Sequence, residues 1–253
     1  MIDLHSHLLP GVDDGSRSVA QSVKVMQQLV ARGVTDICLT PHVRAGDLAK
    51  APPAQHEAAY TALRAAAPTL PRLHRGAEVM LDRPLPGDAQ RVNRYTIGGT
   101  RYLLVEFPRM VAFDTVTTAL SRLVDTGLLP LLAHPERYSC CSPEAVARWR
   151  DVGACMQVDA TTLLSPQSRG QRARALVSAG LADILAADNH GDDRHIGTGR
   201  QFLESQDGAE QAALLTRVNP RAILDDAALT PVPPVELRRS WVQKIRQLLE
   251  GGE

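Results

Sequence analysis

Neither sign of charge is in excess in this sequence: 28 Lys and Arg side chains balance 28 Asp and Glu. Binders of nucleic acid and other polyanions carry a basic surplus, so that class is set aside. Lysine is scarce, present only as Lys24, Lys50 and Lys244. No apolar run approaches the ~20 residues that a membrane helix requires, so no membrane insertion is expected. No basic stretch followed by an apolar one opens the chain, which argues against a secretory signal. Cys38, Cys140, Cys141 and Cys155 lack metal-finger spacing, and the adjacent Cys140 and Cys141 would bridge only under strain. A reducing cytoplasm is the expected setting. No G-x-G-x-x-G follows a strand-like run, so a dinucleotide fold has no support.

What is present is rhythm. The 253 residues are 44% apolar, enough for one barrel or large α/β domain. Short β-like runs begin at Ile2, Thr35, Arg72, Arg101, Leu128, Ala154 and Ala182. Amphipathic stretches separate them; in SVAQSVKVMQQLVARG, Val23, Met26, Leu29 and Val30 follow helical spacing. Gly33, Gly127, Gly153 and Gly180 stand where helices should stop. Seven β-then-α units at intervals of roughly 25–40 residues match the scale of a barrel, with an open doubly wound sheet as the alternative. Residues 1–228 are read as this barrel. Residues 229–253 are read as a linker (LTPVPP) and a C-terminal helix (VELRRSWVQKIRQLLE) that packs on the barrel or on a neighbouring subunit.

The chemistry collects at strand ends. His5 and His7, two apart on the first run, project to the same face and suit two ligands of one metal. His42, Glu78, Glu106, His134, Asp188 and His190 each follow an apolar run. In a parallel barrel those carboxyl ends share one face, where active sites form. Asp13 and Asp14 lie on the first loop at the same rim. Buried carboxylates are costly unless paired or bound to a cation. Mixed imidazole and carboxylate donors suit manganese, iron or zinc, and about nine candidates are too many for one ion; two or three divalent ions is the economical reading. His56, His74 and His195 fall off the pattern. Asp3 reads as a strand-start residue, and Asp159 as a supporting or substrate-contacting one.

The ordered set IDLHSHLLPGVDDG, LTPH, GAEVM, YLLVEFP, AHPERY and AADNHGDDR resembles the polymerase and histidinol phosphatase (PHP) superfamily. More narrowly it resembles the manganese-dependent protein-tyrosine phosphatases of bacterial capsule and exopolysaccharide loci, the CpsB/YwqE type. The match extends from residue 1 to about residue 225. It implies a distorted (β/α)7 barrel of the TIM-like PHP kind with three metals, most naturally manganese. His5, His7, Glu78 and Asp188 would hold one. Glu78 would bridge to a second, held also by Glu106 and His134. Asp14, His42 and His190 would hold the third. Arg137 and Arg194 match positions that hold substrate phosphate. Asp13 is a candidate general acid. The implied partner is a phosphotyrosine protein, a bacterial tyrosine autokinase that controls polysaccharide export; an oligomer is compatible with it. Asp159 stands where asparagine is expected, which bears on substrate preference.

Three rivals bound this reading. A small-molecule phosphatase of the histidinol-phosphate type would share the metals. An amidohydrolase would place a modified lysine where Glu106 stands. A cysteine phosphatase would use Cys38 and Arg44, which have C-x5-R spacing, but Pro41 lacks one of the N–H groups a phosphate loop needs.

Overall fold

The computed structural model describes residues 1–48, 50, 54–67, 69, 71–85 and 92–238. Strands and helices alternate. In chain order they are β1 (Ile2–Asp3), α1 (Val19–Ala31), β2 (Asp36–Leu39), β3 (His42–Arg44), α2 (Ala54–Ala66), β4 (Arg72–Arg75), β5 (Glu78–Met80), β6 (Tyr102–Glu106), α3 (Phe113–Asp125), β7 (Leu129–Ala133), α4 (Pro143–Asp151), β8 (Cys155–Asp159), α5 (Ser168–Ser178), β9 (Ile184–Ala186), α6 (Ile196–Glu204), α7 (Ala209–Ala213) and α8 (Asn219–Leu224).

All ladders are parallel, in two sheets ordered β1-β2-β4 and β3-β5-β6-β7-β8-β9. The two are halves of one ring. β2 and β3 form a single path interrupted at Thr40–Pro41, and β4 and β5 a path interrupted at Gly76–Ala77. Backbone bonds bridge the interruptions, Gly76 N to Leu39 O at 3.0 Å and Glu78 N to Pro41 O at 3.1 Å. The first path continues past β1. Ser6 O accepts from Thr40 N at 2.9 Å, and Ser6 forms an isolated parallel bridge with Asn189 beyond β9. His7 N donates to Asn189 O at 2.8 Å. Seven strand paths therefore close on themselves, as the seven β-like runs predict.

Local sequence explains the helices. Ser18 caps α1, its hydroxyl accepting from Gln21 N at 3.2 Å. The helix buries Ser22, Val25, Met26 and Leu29, one stripe at 3.6-residue spacing. Burying Met26 and Leu29 contributes about 1.5–3 kcal/mol each. Gly33, at φ 87°, ends the helix in the left-handed conformation. On the outer layer, Phe113 of α3 stacks on Trp149 of α4 with ring centroids 5.9 Å apart.

The stretch after α8 packs on the body. Val232 is buried, Thr230 O accepts from the Asn219 side chain at 2.9 Å, and Val235 N donates to Ser178 O at 3.1 Å. Of the expected C-terminal helix, Val235–Arg238 carry no regular secondary structure, and the remainder lies outside the described residues. No described helix is long and apolar enough to cross a membrane.

Candidate metal centre

The fold brings the strand-end residues together at one mouth of the ring. His5 and His7 leave the first path, His42 and Glu78 open β3 and β5, and Glu106 ends β6. His134 follows β7, and Asp188 and His190 follow β9. Two of these hold backbone conformations that few non-glycine residues adopt: His134 at φ 34° and Asp188 at φ 48°. Such strain costs about 1–3 kcal/mol per residue and persists where surrounding structure enforces it, commonly at functional sites.

The loop after His7 turns back on itself. Ser16 N donates to His7 O and Gly11 N to Ser16 O, both at 2.8 Å. Gly15 permits this approach, since a Cβ there would lie 2.0 Å from His7 O. The turn seats Asp13 behind His7, with Oδ2 2.8 Å from His7 Nδ1. On the other side, Gln157 Oε1 lies 2.9 Å from His5 Nδ1. Each acceptor fixes its ring with the proton on Nδ1, leaving the Nε2 lone pair to face the centre.

Four acceptors then crowd one point. His5 Nε2 and His7 Nε2 are 3.2 Å apart, and each lies 3.3 Å from both Glu78 Oε2 and Asp188 Oδ1. The two ring nitrogens thus each face both carboxylate oxygens, the donor types that bind zinc-like ions. All four residues are buried, and Glu78 Oε2 has no hydrogen-bond partner. An unpartnered buried carboxylate oxygen among imidazole lone pairs is intolerable without a cation or extra protons. The donor set therefore fits metal. The same crowding couples these groups electrostatically. Burial works to lower the pKa values of His5 and His7, but Glu78 and Asp188, with Asp13 at His7, outweigh it and raise both. Glu78 and Asp188 are held far below the usual carboxylate range; burial opposes this, and the histidines overcome it, with Arg137 adding to the effect on Asp188.

Around this point the cluster widens. His134 Nε2 lies 2.8 Å from Glu78 Oε1 and 3.9 Å from Glu106 Oε2. His42 Nδ1 is 3.0 Å from Glu78 Oε2 and 3.3 Å from Glu106 Oε1. Its Nε2 is 3.3 Å from Asp14 Oδ1, which His190 Nε2 approaches to 3.6 Å. Burial would lower His42, but Glu106 and Glu78 raise it to about 10. The donor atoms fall into groups that could each hold an ion: His5, His7 and Asp188; His5, Glu78 and His134; His42, Glu78 and Glu106; and His7, Asp14, His42 and His190. The first lies deep. The last reaches solvent, the Asp14 side chain being 70% exposed against 2% for Asp188.

A cleft of about 420 Å³ opens over the cluster. Arg137 and Arg194 line it. Arg137 Nη2 binds Asp159 Oδ2 at 2.8 Å and also Asp188. Its pKa lies above the ordinary arginine value; burial opposes this, and Asp188 and Asp159 outweigh it. Arg194 Nε donates to Asp192 Oδ2 at 2.7 Å, with Nη1 3.7 Å from Asp188. Asp159 is the brace of Arg137, itself fixed by Thr161 N and Oγ1 at 2.9 and 2.7 Å.

Asp13, the candidate proton donor, is engaged by neighbouring donors. Its oxygens are taken by His7 Nδ1, Gly15 N at 3.0 Å and His42 N at 3.2 Å. Burial would raise its pKa, but His7 holds it below the ordinary value. That is the place of a carboxylate that orients His7. Asp3 is a buried strand-start residue accepting from Ala187 N at 3.2 Å. His74 pairs with Asp36, His195 stands at the N-terminal boundary of α6, and His56 lines a neighbouring cavity of about 670 Å³ that shares His42, Met80 and Glu106 with the cleft. Cys38 is fully buried in β2 and burial pushes its thiol far up, so the cysteine-phosphatase rival fails. Gln157, which sets the tautomer of His5, carries no signal in the sequence; it is an inward residue of a β-strand like any other.

The chain is similar to tyrosine-protein phosphatase YwqE of Bacillus subtilis, 28% identical over 252 residues that cover 94% of this chain and 97% of that one. It is similar to tyrosine-protein phosphatase CpsB of Streptococcus pneumoniae, 27% identical over 241 residues covering 89% and 99%. Its fold matches a chain from the crystal structures of YwqE from Bacillus subtilis and CpsB from Streptococcus pneumoniae, unique metal-dependent tyrosine phosphatases. The TM-score is 0.78 at 27% identity, over 94% of this chain and all of that one. The model of one family, "Capsular polysaccharide synthesis, CpsB/CapC", matches residues 1–225, and the chain belongs to that family.

Proposed function

We propose that this protein is a metal-dependent protein-tyrosine phosphatase working on a phosphotyrosine protein, a bacterial tyrosine autokinase of polysaccharide export, in the cytoplasm. The similarity to YwqE and CpsB over nearly the full chain supports the activity. The observation that carries the chemistry is the crowding of four buried acceptors, His5 Nε2, His7 Nε2, Glu78 Oε2 and Asp188 Oδ1.

His5, His7, Glu78 and Asp188 would hold one ion; Glu78, Glu106 and His134 a second; Asp14, His42 and His190 a third. Manganese is the favoured metal. Bound ions supply Lewis acidity, neutralising phosphoryl charge and lowering the pKa of water toward about 7. The chain does the rest. Arg137 and Arg194 bind the non-bridging phosphate oxygens, their planar forks suiting that geometry. Asp159 and Asp192 hold those forks in place. Asp13 and Gln157 keep the Nε2 lone pairs of His7 and His5 turned inward. A tyrosine phenol, with pKa about 10, leaves with less proton donation than a serine alkoxide. A dedicated acid is therefore less needed, consistent with Asp13 being engaged elsewhere. Residues 1–228 form the catalytic barrel, against which Val232 and Val235 pack.

The test is substrate choice by manganese-loaded protein. Phosphotyrosine peptides should turn over at least tenfold faster in kcat/KM than phosphoserine peptides or histidinol phosphate. Preference for histidinol phosphate would replace this reading with the small-molecule one.

A further inference from the structure

Four arginines line the cleft above the metal cluster: Arg109, Arg137, Arg169 and Arg194. One phosphoryl group does not occupy them all. Arg137 and Arg194 already answer to carboxylates, Asp159 and Asp188 for the first, Asp192 and Asp188 for the second. Arg109 and Arg169 are different. Both are exposed, and among the described residues neither is paired with an acidic side chain. Among the described residues they are the arginines of the cleft lining with no carboxylate partner.

Their backbones are fixed. Arg109 lies on the loop after β6, where Arg109 O accepts from Ser139 N at 2.9 Å and Val111 N closes onto Pro108 O at 3.0 Å. Arg169 lies in the first turn of α5, and the next residue, Gly170, is pressed against the preceding loop; a Cβ there would lie 2.0 Å from Ser165 O. Two anchored stems thus carry two long cationic heads to one cleft. An oxyanion entering that cleft meets two guanidinium groups not already engaged by carboxylates.

We propose that Arg109 and Arg169 form a second anion subsite, which takes an acidic group flanking the phosphotyrosine in the substrate polypeptide. This rests on the phosphatase reading above. The ligand chemistry is an oxyanion on a neighbouring residue, either the carboxylate of Asp or Glu or a second phosphate. Guanidinium forks suit both. Exposed charges are screened within about 8 Å at physiological salt, so only residues close to the phosphotyrosine are read.

The experiment compares wild-type, R109A/R169A and R109E/R169E proteins, all manganese-loaded and checked for unchanged melting temperature. Substrates are p-nitrophenyl phosphate, which has no flanks, and phosphotyrosine peptides flanked by glutamate, lysine or a second phosphotyrosine. The expected result is a loss of roughly tenfold in kcat/KM on acidic peptides for the alanine pair, and more for the glutamate pair. Turnover of p-nitrophenyl phosphate should stay unchanged. The salt dependence of acidic-peptide turnover should flatten. A larger loss on the doubly phosphorylated peptide assigns the subsite to phosphate; equal losses assign it to carboxylate as well. The subsite is refuted if acidic peptides lose nothing, or if p-nitrophenyl phosphate and peptides lose alike. Failure of the wild type on every phosphotyrosine substrate, p-nitrophenyl phosphate included, would instead overturn the phosphatase reading.

Discussion

Replacing Asp13 by alanine separates an orienting role from an acid role. The carboxylate accepts from His7 Nδ1 at 2.8 Å, Gly15 N at 3.0 Å and His42 N at 3.2 Å. Its loss frees His7 to carry its proton on Nε2, the atom 3.3 Å from both Glu78 Oε2 and Asp188 Oδ1. A ligand in the wrong tautomer must first exchange its proton. Losses of outer carboxylates behind ligating histidines run to about 10–100-fold in metal affinity or activity. That range corresponds to about 1.4–2.7 kcal/mol, in line with one charge-assisted hydrogen bond. The assay is a manganese titration of phosphotyrosine turnover, followed by a pH profile at saturating metal. Asp13→Ala should need about 10–100-fold more manganese, recover most of its kcat when saturated, and keep the wild-type basic limb. Ordinary manganese affinity with a vanished basic limb would refute the argument and restore Asp13 as the proton donor.

Gly15→Ala should lower the melting temperature and weaken metal binding together, because its Cβ would meet His7 O at 2.0 Å; thermal melting with and without manganese checks this, and an unshifted melt would contradict it. Asp36 is buried at the opposite end of the ring, bound by Arg72 Nη2 at 2.7 Å, His74 at 3.0 Å and Arg221 at 3.0 Å. Burial alone would raise its pKa, but these partners and Thr35 hold it well below the ordinary value. Its contribution is thus present above about pH 4, the unfolded value, and is lost as pH falls below it. Denaturant melts should show Asp36→Ala costing roughly 2–4 kcal/mol at pH 7 and less at pH 3; a cost independent of pH would count against the linkage. Cys38→Ala should keep phosphatase turnover within about twofold, since a buried protonated thiol is inert; loss of activity in a protein with a normal melt would reopen the cysteine mechanism.

Much of this architecture is written in short-range pattern. Alternation on the first path puts His5 and His7 on one face, and the rule that barrel chemistry sits at carboxyl strand ends collects Glu78, Glu106, His134 and Asp188 without coordinates. Legibility stops where contacts depend on chain return. The interruptions at Thr40–Pro41 and Gly76–Ala77 leave continuous-looking runs in the sequence yet split the ladder in two. Asp13 looks identical to Asp14 in VDDG; only the fold-back of the loop, allowed by Gly15, turns one onto His7 and leaves the other at the rim. Arg109 and Arg169 sit on loop and helix edges with no periodic signature, and Gln157 hides in an ordinary strand. Residues 229–238 show a further limit. Proline-rich composition suggests a free connector, whereas Val232 finds a buried seat that composition does not encode.

The central claim is that strand-end imidazoles and carboxylates gather to hold several cations, without which phosphotyrosine is not hydrolysed. The most direct measurement is metal content per chain by elemental analysis of the purified protein, with phosphotyrosine turnover followed as EDTA removes the metal and manganese restores it. The account predicts two or three ions per chain, and activity that falls and returns with them. Full activity in metal-free protein, or one ion or none in the fully active form, would contradict it.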